Sequence, residues 1–241
     1  MTAAPTPVLA PVTVAVIDSG IASPPGAPVA LARAFRPAQD GSVRAVPPEP
    51  DTLGHGSAVA RLVREACPDA RLLDAQVFGR HSATSAGLVA AGLTWAVEQG
   101  ADVCVLSLGL RSDRAVLAEA VAAALAAGVT VVASAPARGG PVWPAAYPGV
   151  VRVSGDARCG VGELSWFGDG GGAAEYGACP GVVVEPGRQP TGGASFAAAR
   201  IAGLLAAARA AGTWAAGEAP EVWLRAAARF VGRERRVSAG G

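Results

Sequence analysis

The chain has 241 residues, 51% of them hydrophobic and 16% charged. That length suits one sizeable domain with a buried core and is short for two, and the composition excludes a disordered chain. Twenty basic against 19 acidic residues leave a formal charge of +1, which excludes the basic footprint of a nucleic-acid binder or of a protein held on an anionic membrane. All twenty basic residues are Arg, and neither Lys nor Asn occurs, so no mechanism can use a catalytic Lys or Asn.

Residues 1–11 carry no positive side chain and no apolar run of signal-peptide length, and no stretch reaches the roughly eighteen apolar residues of a bilayer span. A cytoplasmic protein without membrane contact is the expectation. Strands are predicted over 12–17, 72–77, 103–106, 129–133, 150–153 and 182–184, from β-branched and aliphatic runs. Helices are predicted over 56–66, 85–99, 114–126, 195–211 and 221–230, and those ending at Gln99 and Ala126 are closed by Gly100 and Gly128. The alternation predicts an α/β fold of three layers, a mainly parallel central sheet with helices on both faces. Gly- and Pro-rich stretches at 23–50, 138–148 and 168–172 read as surface loops, and none divides the chain. A single domain over 1–231 is expected, with 232–241 a flexible tail. Cys67, Cys104, Cys159 and Cys179 lack metal-site spacing and read as buried free thiols. Cys159 and Cys179, which bracket a Gly-rich stretch, are the one pair to test for a disulfide.

Three residues stand where chemistry is done. Asp18 ends the first strand in Val16-Ile17-Asp18-Ser19-Gly20, at the carboxyl edge where open α/β sheets bind ligands, and alone could be a cap, a metal ligand or a catalyst. His55 lies between glycines in Gly54-His55-Gly56-Ser57 at the start of a helix, which leaves its ring accessible. The other histidine, His81, reads as an exposed loop residue. Ser195, in Gly193-Ala194-Ser195-Phe196-Ala197, opens a long Ala-rich helix. It could be a simple N-cap, or a hydroxyl set beside the anion-binding end of the helix.

In this order, Asp then His then Ser, the three motifs resemble those of the subtilase family of serine peptidases, over about residues 12–211. Ser107-Leu108-Gly109 resembles the family's substrate-aligning strand end, and Tyr147-Pro148-Gly149 its Tyr-Pro segment. The resemblance implies a seven-stranded parallel sheet and a catalytic triad of Asp18, His55 and Ser195 that cleaves peptide bonds through an acyl-enzyme. It also implies a peptide or protein substrate bound as an added strand along Ser107, Leu108 and Gly109, with Ser134, Ala135 and Val142 around the pocket.

The chain departs from the family at the oxyanion hole. Ala137 occupies the position of the usual Asn side chain, and Ala194 that of the Thr before the nucleophile; removing one such donor in a subtilisin costs about 10²–10³ in kcat. Ser134 and Arg138 are the candidates for a second donor beside the Ser195 amide. Phe196 replaces the usual Met, Ala199 a Pro and Arg200 a His, while Val142 replaces a Gly at the pocket floor and predicts a small substrate residue there. Acidic pairs suited to calcium are sparse, so no metal and no cofactor are expected. A start close to the first core strand leaves little room for a prodomain, as in the short maturation subtilases of the quinohemoprotein amine dehydrogenase type. The combined expectation is a dedicated processing peptidase acting on a leader peptide or subunit. The alternative is an inactive subtilase fold that binds peptide as a chaperone. A nucleotide-binding α/β protein ranks third, because 168–172 does not join a strand to a helix as a phosphate loop must.

Overall fold

β1 (Thr13–Asp18) is buried along its whole length, as its apolar run requires of a central parallel strand. It pairs in parallel with β4 (Arg71–Gln76) on one side and β5 (Val103–Leu106) on the other. Parallel pairing continues through β6 (Thr130–Ser134) and β7 (Val151–Gly155) beyond β5, and to β2 (Leu31–Pro37) beyond β4. At one margin β3 (Val43–Val46) returns antiparallel to β2. At the other, β9 (Tyr176–Ala178) lies parallel to β7 and antiparallel to β8 (Leu164–Trp166), which takes the short β12 (Phe230–Val231) on its outer side. The computed structural model describes residues 11–22, 29–79, 82–168, 172–182, 191–215 and 217–234. Within them the ten strands form one sheet in the order β12-β8-β9-β7-β6-β5-β1-β4-β2-β3, and β10 (Gly181–Val182) and β11 (Thr191–Gly192) form a separate antiparallel ribbon.

Side chains of β1 alternate between two cores. Val14 and Val16 face α1 (His55–Ala66), α4 (Ala194–Ala210) and α5 (Pro220–Ala227), while Ala15 and Ile17 face α2 (Ala86–Glu98) and α3 (Ala115–Ala126). Each apolar strand therefore has both faces covered, which gives the expected three-layer α/β arrangement. Gly100 and Gly128 follow α2 and α3 with φ of 75° and 79°, the left-handed turn that glycine adopts without strain.

Several expectations are corrected. The sheet has ten strands where seven were implied, and 23–50 is not all loop, because it contains β2 and β3. Both are Arg- and Ala-rich and half exposed, so they lack the apolar run that marks the inner strands. β8 and β9 escaped notice because they are three residues each. The last helix stops at Ala227, and Phe230 belongs to β12. The strand expected over 182–184 is a ribbon ending at Val182, its remainder lying outside the described residues. Ser195 is not an N-cap, since Gly193 takes that position. Gly232 and Arg233 are tied to the body: the Gly232 amide donates to Trp166 O at 2.8 Å, and Arg233 donates to Ala174 O at 3.0 Å.

Candidate active site

From β1 the chain crosses through α1 to β4 on one side, and from β4 through α2 to β5 on the other side of β1. The crossovers diverge at the carboxyl ends of β1 and β5, which opens the crevice where such sheets bind ligands. Asp18 and Ser107 stand on its two banks.

Asp18 is 1% exposed, accepts the Ser19 amide at 2.7 Å, and holds His55 Nδ1 at 2.9 Å from each carboxylate oxygen. A nitrogen so placed is the donor, which leaves Nε2 of the neutral ring as an acceptor facing the crevice. His55 is set by its neighbours: Gly54 takes φ 70° to start α1, and a Cβ on Gly56 would collide with the Gly20 carbonyl. On its other flank the imidazole packs on Phe196, ring centroids 5.6 Å apart, and Phe196 follows Ser195 directly. Ser195 lies in the first turn of α4, where backbone N–H groups lack intrahelical acceptors. Its Oγ donates to Ser107 O at 3.0 Å, and Ser107 Oγ donates back to Ser195 O at 3.1 Å.

Asp51, which sequence reasoning missed, braces both acidic and imidazole segments. Its carboxylate accepts from Ser19 Oγ, from the Gly54 and Ser57 amides and from Ser57 Oγ, at 2.9, 2.9, 3.0 and 2.5 Å. Partial burial pushes this carboxyl up, but the bonds from Ser57, Ser19 and Gly54 outweigh it and hold it below the usual range. The available signal was an Asp three residues before the Gly that opens a helix. Gln76, also missed, donates to Ser19 O at 2.8 Å and Glu49 O at 2.9 Å, fixing the same turn. The hydrogen bond to Asp18 raises the His55 pKa, burial opposes it, and the charges of Asp18 and Asp51 add to the rise. Asp74 on β4 accepts the Ile21 amide at 3.0 Å but leaves Oδ1 without a partner among the described residues. Burial, resisted by the Ile21 bond and helped by the charges of Asp51 and Asp18, pushes its pKa up to about 6.

The crevice continues into a groove of about 530 Å³ lined by His55, Leu53, Phe78 and Ser107 to Leu110. Leu108 and Gly109 thus lie on its wall. Val142 packs against Gly109, where a Cβ would come 3.1 Å from Val142 Cγ2. Ser134 and Ala135 are buried beside Leu108, Ser134 Oγ donating to Leu108 O at 3.4 Å, while Ala137 and Arg138 are exposed. All four cysteines are free thiols, Cys159 and Cys179 included. Among the described residues no three His, Cys, Asp or Glu side chains converge as a metal site, and no helix is long and apolar enough to cross a membrane. His81 lies outside the described residues.

Strand order and the split crossover narrow the architecture to the subtilisin-like α/β class. The chain belongs to the subtilase family, whose model matches residues 10–237. It is 33% identical to Subtilisin Savinase of Lederbergia lenta over 153 residues, covering 59% of this chain and 54% of the relative. With the Minor extracellular protease Epr of Bacillus subtilis it shares 29% over 185 residues, 72% of this chain and 27% of the relative. The chain thus spans about half or less of the length of these curated relatives. Among solved structures it resembles the nisin leader peptidase NisP of Lactococcus lactis (TM-score 0.66, 20% identity, 88% of this chain and 80% of that one). It also resembles the prenylagaramide maturation protease PagA (TM-score 0.55, 21% identity, 81% and 74%).

Proposed function

We propose that the chain is a serine endopeptidase of subtilisin type, with Asp18, His55 and Ser195 as its triad and a narrow processing task on a leader peptide or subunit. The observation that carries this reading is the buried Asp18 carboxylate holding His55 Nδ1 at 2.9 Å, with the ring packed on the residue after Ser195. In the proposed reaction Ser195 Oγ swings from the Ser107 carbonyl towards His55 Nε2, gives up its proton there and bonds to the scissile carbonyl carbon. The oxyanion forms beside the first-turn amides of α4. The C–N bond then breaks, and His55 returns the proton to the leaving amine. Water, deprotonated by His55, releases the acyl group and regenerates Ser195.

Substrate would lie extended along Ser107, Leu108 and Gly109, its acyl-side residues in the apolar groove beside Leu53 and Phe78. Val142 against Gly109 shortens the space for the residue before the cut, which favours Gly, Ala or Ser. Val142→Gly is expected to admit larger residues; efficient wild-type cleavage after Phe or Leu overturns this assignment. Processing, rather than digestion, is supported by that narrow space, by Ala137 in the oxyanion position, and by neighbours named as a leader peptidase and a maturation protease. Four free thiols fit a reducing, cytoplasmic setting. Arg138 and Ser134 are kept as second oxyanion donors, although the Ser134 hydroxyl is turned to Leu108; unchanged acylation in both Arg138→Ala and Ser134→Ala eliminates them.

A fluorophosphonate probe tests the reaction itself. The native chain should be labelled once and Ser195→Ala not at all. Absence of labelling at every pH where His55 is neutral rejects the peptidase in favour of a peptide-binding module.

A further inference from the structure

The buried cation in the nucleophile helix is Arg200, 7% exposed. Its Nη1 meets Glu65 Oε2 of α1 at 3.2 Å, its Nη2 donates to the Gly181 carbonyl of β10 at 3.1 Å, and Nε has no partner among the described residues. A buried guanidinium with one nitrogen unpaired and an exposed carboxylate as its partner is a poor source of stability, since desolvation offsets an attraction that solvent screens. What it does supply is a fixed direction, because a planar guanidinium grips two acceptors at a set angle.

The second acceptor leads straight to the candidate nucleophile. Gly181 pairs with Gly192 and Val182 with Thr191, and the Gly193 amide donates to Pro180 O at 3.2 Å. Gly193 is the N-cap of α4, two residues before Ser195, and Arg200 lies on the same helix. The contacts close a ring: from Arg200 across to Gly181, over to Gly192, along the backbone to Ser195 and down α4 to Arg200. Ala137 offers no side-chain donor, so on the proposed reading the Ser195 amide, held by this ring, carries a larger share of the oxyanion's stabilisation than it would beside an Asn.

We propose that Arg200 is a positioning residue, clamping the β10–β11 ribbon to α4 so that the Ser195 amide and hydroxyl keep one orientation. This rests on the serine-peptidase reading only for its effect on rate. The test compares the wild-type chain with Arg200→Lys, Arg200→Ala and Glu65→Gln, measuring amide exchange over residues 191–193 and the rate of fluorophosphonate labelling. A single ammonium cannot serve both Glu65 and Gly181, so Arg200→Lys should fold, exchange at least about tenfold faster at 191–193 and label about tenfold slower. Glu65→Gln, whose amide oxygen still accepts from Nη1, keeps both arms of the grip and should leave both readouts near wild type, and millimolar methylguanidinium should restore part of the labelling in Arg200→Ala. Wild-type exchange at 191–193 in folded Arg200→Lys overturns the clamp. Faster exchange with unchanged labelling overturns its effect on the nucleophile. If the wild-type chain does not label at all, the peptidase reading falls and exchange alone decides Arg200. Should Arg200→Ala fail to fold, Arg200→Lys carries both readouts.

Discussion

Asp18, Asp51 and Asp74 sit around the turn that follows β1, and their surroundings treat a negative charge differently. Asp51 is saturated with donors, whereas Asp74 has one bonded oxygen and one bare one in a buried setting. A carboxyl raised from 3.8 to about 6 holds its proton longer folded than unfolded, so it lowers stability as pH climbs from about 4 to about 6 and imposes a constant loss above. Two pH units correspond to roughly 3 kcal/mol. Asp74→Asn keeps an acceptor for Ile21 and cannot ionise; it should raise the melting temperature at pH 7.5 and flatten its decline between pH 4 and 6. An unchanged pH dependence would mean that Asp74 does not titrate there. His55 has the opposite sign: its raised pKa adds stability that is full below 6.5 and fades as pH rises through the folded value. On the peptidase reading, kcat/KM climbs along an acid limb above pH 6.5, because the base must be neutral. Asp51→Asn removes a charge that favours the imidazolium, and the limb should move to lower pH.

At the scale of elements, two helices bring His55 and Ser195 together, and a glycine sets how closely they approach. A Cβ at Gly203 of α4 would lie 2.9 Å from Val63 O and 3.0 Å from Ala66 Cβ of α1. Gly203→Ala should therefore destabilise by about 1–3 kcal/mol, as overpacking does, and should slow labelling more than a remote change of equal stability cost. A denaturant midpoint equal to wild type would refute the close packing. Inner strands were legible from their largely apolar runs, which both covered faces of the sheet require, and the five helices from Ala-rich or amphipathic stretches at helical spacing. The marginal strands were not. β2 and β3 owe their place to pairing at the edge of the sheet, and their half-exposed Arg and Ala residues carry no periodic signal. Within the site, Asp18, His55 and Ser195 stood out through their combination and order, since each alone had a plainer reading as a cap or an exposed side chain. Gln76 and Arg200 act through bonds to segments far along the chain, Arg200 to Glu65 across 135 residues, which no local pattern contains, whereas Asp51 left only the weak local signal of an Asp three residues before Gly54.

Over the whole molecule, the site is assembled from segments at both ends of the sequence, and no covalent tie holds them. Cys67, Cys104 and Cys159 are buried and Cys179 is half-buried. Burial pushes the Cys104 thiol up to about 12 and, with the nearby Asp156 and Glu163 charges adding and Ser165 and Arg158 opposing, the Cys159 thiol up to about 11. A thiol reagent should thus find at most one fast equivalent, Cys179, in the native chain and four in denaturant, with or without prior reduction. Only two slow equivalents in denaturant before reduction would reveal a disulfide. The reciprocal bonds between Ser195 and Ser107 have a kinetic meaning of their own. A hydroxyl has one proton, and while Ser107 O holds it, the imidazole cannot. On the peptidase reading, a hydrogen bond of about 1 kcal/mol leaves roughly one molecule in six with Ser195 released, about a sixfold loss of rate in the resting chain. Since Ser107 begins the segment on which a peptide would align, a ligand that draws this carbonyl into its own pairing would release the Ser195 hydroxyl as it docks, whereas a small probe reacts through the roughly one molecule in six already released and is slowed only about sixfold. Reactivity would then be conferred by the correct peptide at the moment of contact.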